Sequence, residues 1–120
     1  MSNKYDQAYL PIVKETVTLM EYYATVYKQI PKWAKHGSTV PAMTNAMQEL
    51  LRYLVSAGKM QDKKPLLLEA DVRLDCLRLY LRLSFKTKLI TPKQYEQMSI
   101  HTTKIGNQLG SWLRSLDSTK

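Results

Sequence analysis

The sequence predicts an all-α protein, an up-down-up-down four-helix bundle, on three observations. Apolar residues recur at spacings of three and four over four long segments, and none of those segments alternates as a strand would. Glycine and proline are scarce, 4 and 5 in 120 residues, and most of them cluster in stretches 31–41, 58–65 and 86–92 that separate the segments. A chain of this length supports one core, which buries roughly 65% of the surface an unfolded chain exposes, so residues 1–120 read as a single domain. Four amphipathic helices, at approximately 8–30, 40–57, 66–87 and 92–116, with connections this short pack most economically as antiparallel neighbours.

In the first helix Tyr9, Val13, Thr16, Met20, Tyr23, Tyr27 and Ile30 form a heptad-like stripe. Pro11 lacks an N–H and is tolerated only in a first turn, so regular helix begins near it. Pro31 ends it. The second helix places Met43, Met47, Leu50, Leu54 and Ala57 on one face, and Gly58 is expected to supply the left-handed residue that commonly closes a helix.

The third helix is apolar on two sides. Leu66, Leu67, Ala70, Leu74, Leu77, Leu81 and Phe85 form the expected core stripe, while Val72, Cys76, Leu79 and Leu83 lie nearly opposite. A four-helix bundle leaves each helix an outward face, so this second stripe predicts contact with another copy of the chain. The fourth helix opens with Thr91-Pro92-Lys93-Gln94, a capping box with proline at the first helical position. Met98, Thr102, Ile105, Leu109, Trp112 and Leu116 continue as its core face, and Gly106 and Gly110 expose bare backbone for close packing.

Catalytic and metal chemistry find little support. His36 and His101 have no ligand partner at helical spacing, and the single cysteine, Cys76, reads as a small hydrophobe. Asp71 and Asp75 begin a polar stripe that Arg78, Arg82 and Lys86 continue, with acids toward the helix N-terminus and bases toward its C-terminus as the macrodipole favours. Phosphate-cradling glycine loops and a nucleophile elbow are absent. The expectation is a protein without catalytic residues, metal or cofactor.

Charge points to binding. The chain has 18 Lys+Arg against 10 Asp+Glu, a formal +8, which attracts polyanions without choosing among them. Lys32, Lys35, Lys59, Lys63, Lys64, Arg73, Arg78, Arg82 and Lys86 are the candidate binding residues. Arg78 and Arg82, one turn apart, are placed to grip phosphates bidentately. With no apolar run of the ~18 residues a bilayer span needs and no signal-peptide core at the start, the chain reads as soluble and cytoplasmic.

An ordered set of short matches adds a family. Ile30-Pro31-Lys32 with Lys35-His36-Gly37, Ala57-Gly58-Lys59, Ala70-Asp71, Leu77-Arg78-Leu79-Tyr80-Leu81-Arg82, Thr91-Pro92 and Leu109-Gly110-Ser111-Trp112 resemble the accessory variability determinants of diversity-generating retroelements. These belong to a wider four-helix-bundle family that includes the ribosomal-RNA intervening-sequence proteins. The resemblance runs from about Tyr27 to Leu116, with a shorter connection at Lys86 to Ile90 than in better-known members. It implies a homopentameric barrel with a positive surface that binds a reverse transcriptase and template RNA or DNA in mutagenic complementary-DNA synthesis. By the same resemblance Arg78 and Arg82 match paired arginines of the third helix and become candidates for partner binding. The alternative it leaves is a bundle that meets ribosomal RNA or a protein partner without a polymerase.

Overall fold

The computed structural model describes residues 8–117, and among them every regular element is a helix. Four are long: α1 (Tyr9–Gln29), α3 (Thr39–Lys59), α4 (Lys64–Lys86) and α5 (Pro92–Asp117). A fifth, the single-turn α2 (Lys32–Lys35), occupies what the sequence suggests is only a loop. It forms because Pro31 sets the entry to the turn, and the Ala34 and Lys35 amides both donate to the Pro31 carbonyl, at 3.0 and 3.3 Å.

The long helices pack as a closed ring of antiparallel pairs, α1 against α3 and α5, and α4 against α3 and α5. Contacts along each pair show the opposed directions. Near one end Lys64 pairs with Asp117 and Tyr9 lies on Gly58; near the other, Gln94 Nε2 donates to Gln29 Oε1 at 2.8 Å and Phe85 stacks on Tyr95 at 4.6 Å. The result is a rod 51 Å long.

The core follows the helical period, with one change of phase. In α1 the buried residues are Tyr9, Ile12, Thr16, Leu19, Tyr23, Val26 and Ile30. Ile12, Leu19 and Val26 thus replace the expected Val13, Met20 and Tyr27. Both sets share Tyr9, Thr16, Tyr23 and Ile30, so the sequence fits either phase; Val13 and Met20 pack partly buried at the edge of the core, while Tyr27 is exposed. The remaining stripes fall where the spacing puts them: Met43, Met47, Leu50, Leu54 and Ala57 from α3, Leu67, Ala70, Leu74, Leu77 and Leu81 from α4, and Met98, Thr102, Ile105, Leu109 and Trp112 from α5. Buried hydroxyls are satisfied locally, Thr16 by the Ile12 carbonyl at 2.8 Å and Thr102 by that of Ser99 at 3.1 Å.

Both helix-terminus expectations for α3 and α5 are informative. The capping box forms: Thr91 N–H donates to Gln94 Oε1 at 2.9 Å and Gln94 N–H to Thr91 Oγ1 at 3.1 Å. Gly58, in contrast, is not left-handed. It lies inside α3, is buried, and a Cβ there would run into the Tyr9 ring. Its role is to let α1 and α3 approach closely.

The left-handed residue sits instead between α4 and α5. Lys88 has φ 64, Leu89 N–H donates to the Ser84 carbonyl at 2.8 Å, and Lys88 N–H to that of Phe85 at 3.1 Å. These are the two bonds of a Schellman motif, with a lysine where glycine is usual.

Candidate nucleic-acid and partner interface

The nine candidate basic residues do not form one patch. Lys32 and Lys35 ride on α2 and Lys86 closes α4, all at the end of the rod where α1 finishes and α5 begins. Lys59, Lys63 and Lys64 lie at the opposite end, and Arg73, Arg78 and Arg82 run along α4 between them. Lys59, Lys63 and Lys64 are therefore separated from Lys32, Lys35 and Lys86 by the length of the bundle.

Several of these cations already have structural work. Lys63 Nζ donates to the Ala57 carbonyl at 2.8 Å and to that of Met60 at 2.7 Å, closing the C-terminus of α3. Lys64 pairs with Asp117 at 3.3 Å. Arg73 pairs with Glu69 at 3.2 Å and covers the Tyr53 ring. Lys35 Nζ sits 4.5 Å above the Tyr27 ring. Lys32, Lys59, Arg82 and Lys86 carry no such partner among the described residues.

Arg78 and Arg82 differ in the same way. The Arg78 Nη2 donates to the Thr102 carbonyl of α5 at 3.2 Å, and its guanidinium lies over Gly106, where a Cβ would collide with it. Its Nη1 reaches Asp75 at 3.5 Å. Both arginines line a groove between α4 and α5 together with Asp75, Leu79, Tyr95 and Ser99, and Arg82 is exposed there. Of the pair matched by resemblance, Arg78 bonds across to α5 and Arg82 has no such bond among the described residues.

The second apolar stripe of α4 faces outward as its phase requires. Val72 is 50% exposed, Leu79 64% and Leu83 44%, with Cys76 half-buried between them. Leu68, four residues before Val72, extends the stripe by another exposed leucine. The sequence carried that signal in the i,i+4 spacing. α1 carries a comparable line, with Leu10, Val17 and Tyr27 exposed and Val13 and Met20 partly buried between them; full burial of each such side chain stabilises an assembly by about 1.5–3 kcal/mol.

The histidines divide as well. His101 Nδ1 meets Glu15 Oε2 at 2.5 Å, a pair 17% and 18% exposed that ties α5 to α1. An ionised carboxylate only accepts, so Nδ1 carries the proton in this contact. On the α1–α3 side Thr44 Oγ1 donates to the Val40 carbonyl at 3.0 Å, which leaves the Tyr23 O–H to donate to Thr44 Oγ1 at 2.6 Å. Burial pushes the Tyr23 phenol pKa up, the Thr44 bond pulls it back down, and Tyr27 adds a smaller upward push. No group of three or more His, Cys, Asp or Glu side chains suited to a metal ion occurs among the described residues, and no described helix is long and apolar enough to cross a membrane.

Sequence spacing also passed over Trp33, which is 74% exposed on α2 between Lys32 and Lys35. Its signal was positional: a tryptophan flanked by lysines in a segment bounded by Pro31 and Gly37 is too short of apolar neighbours to be core.

These features define a class, a basic antiparallel helical bundle with uncovered apolar side chains along α4 and α1 and lysine-rich ends. The sequence model of the bAvd-like family matches residues 10–116, and the chain belongs to that family. A search of curated proteins finds no match to it.

Proposed function

We propose that this chain is a non-enzymatic accessory protein of a diversity-generating retroelement. It assembles with copies of itself through Val72, Cys76, Leu79 and Leu83 of α4, and it brings a reverse transcriptase together with template RNA or DNA during mutagenic complementary-DNA synthesis in the cytoplasm. Family membership supports the accessory role. The observation that carries the rest is the separation of surfaces, an exposed apolar stripe along α4 and lysines gathered at the rod's ends. The lysines at the rod's ends lie away from the stripe and can stay in solvent when it is buried by self-association, whereas Arg78 and Arg82 share a groove with Leu79.

Five copies, as the family resemblance implies, would carry about +40 from the +8 of each chain, before counterions screen it. Such a particle binds nucleic acid with an affinity that falls steeply as salt rises. Arg82, which has no intramolecular partner among the described residues, is the better candidate of the arginine pair for a partner contact.

The test is co-purification with a reverse transcriptase of a diversity-generating retroelement, with and without template RNA. The expected result is a salt-sensitive ternary complex that Arg82→Ala weakens. Binding to ribosomal RNA with no retained polymerase would instead favour the intervening-sequence type of bundle.

A further inference from the structure

The end of the rod formed by the α1–α3 connection and the α4–α5 connection has an uncommon composition. Segments 28–39 and 84–95 contain six lysines, Lys28, Lys32, Lys35, Lys86, Lys88 and Lys93, and no aspartate or glutamate. They meet in space: Gln94 Nε2 donates to Gln29 Oε1, and Pro31 lines one cleft together with Lys86 and Lys88. On this end stands Trp33, 74% exposed.

We propose that this end binds single-stranded nucleic acid, with a base stacked on the Trp33 indole and the surrounding lysines on the flanking phosphates. The inference rests on the nucleic-acid part of the function proposed above and assigns it a site. A protein partner anchored by tryptophan would need an apolar surround to exclude water, and the one other exposed aromatic among the described residues, Tyr27, already has the Lys35 ammonium over its ring. A base needs only one π-face with cations beside it. Bases in a duplex are already stacked on each other, which selects a single strand.

Lys88 gives independent support. It holds the left-handed position of the Schellman motif, where glycine would be unstrained. A cation stands there at a backbone cost, and it lies beside Lys86 at the same end of the rod.

The chain has two tryptophans, and Trp112 is 0% exposed, so a ligand-induced change in emission reports Trp33. Short uridine and thymidine oligonucleotides titrated into the full chain at low salt should quench that emission saturably. Trp33→Ala should bind about tenfold more weakly, the scale of one lost base stack, and Trp33→Phe should keep most of the affinity. Binding without quenching, unchanged in Trp33→Ala, would overturn the Trp33 site while leaving nucleic-acid binding standing. Equal or tighter binding of a blunt duplex would overturn stacking. Absence of binding to single strand and duplex alike would overturn both this site and the nucleic-acid function on which it rests.

Discussion

Arg78 on α4 lies across the bare backbone of Gly106 on α5. The glycine makes room for a guanidinium, and that guanidinium donates to the Thr102 carbonyl one turn away. Alanine normally stabilises a helix by about 1 kcal/mol over glycine, but at position 106 it displaces Arg78 and forfeits its hydrogen bond. Gly106→Ala should therefore show little or no gain in thermal stability in the native background. In an Arg78→Ala background the same change should recover up to ~1 kcal/mol. A double-mutant cycle measured by thermal unfolding reads that coupling directly.

Gly58 predicts a larger effect. Its added Cβ meets the buried Tyr9 ring, which in turn stands edge-on to Trp112 at 6.3 Å. Gly58→Ala should destabilise the bundle by about 1–3 kcal/mol, as overpacking does. A changed near-ultraviolet circular dichroism signal should accompany it, because the Tyr9–Trp112 pair moves.

These two glycines show where sequence reading stops. Helical period places the core of α3, α4 and α5, and the Thr91–Gln94 capping box forms as spelled, because those signals are local. The phase of α1 is ambiguous by one residue, since Tyr9, Thr16, Tyr23 and Ile30 belong to both candidate stripes and only the neighbouring helices decide between Val26 and Tyr27. Gly58, Arg78 and the Glu15–His101 pair depend on residues distant in the chain, so no spacing rule reaches them. Trp33 went unread, because its exposure is a property of where α2 sits.

Lys88→Gly separates folding from binding. Relieving a left-handed lysine should raise stability by about 1 kcal/mol, measured by denaturant unfolding. The same substitution should weaken oligonucleotide binding and reduce its dependence on salt, because one phosphate contact is removed.

Tyr23 makes alkaline stability depend on pH. Its phenol is held above the ordinary 10.0, so the folded state keeps a proton that the unfolded state releases first. The contribution is fully present below pH of about 10 and is lost as pH rises through the higher folded value. The stability difference between the native chain and Tyr23→Phe, followed by chemical unfolding, should shrink as pH climbs above ~10. Burial, the largest cause of the shift, sets that direction.

The central claim is that α4 presents an assembly face, and the mass of the particle tests it most directly. Native mass spectrometry of the full chain at micromolar concentration should give an oligomer, five times the 13.9 kDa of one chain, and Leu79→Glu should return it to single chains by placing a charge in the stripe. A native chain that runs as a 13.9 kDa monomer, with Leu79→Glu making no difference, would contradict the account.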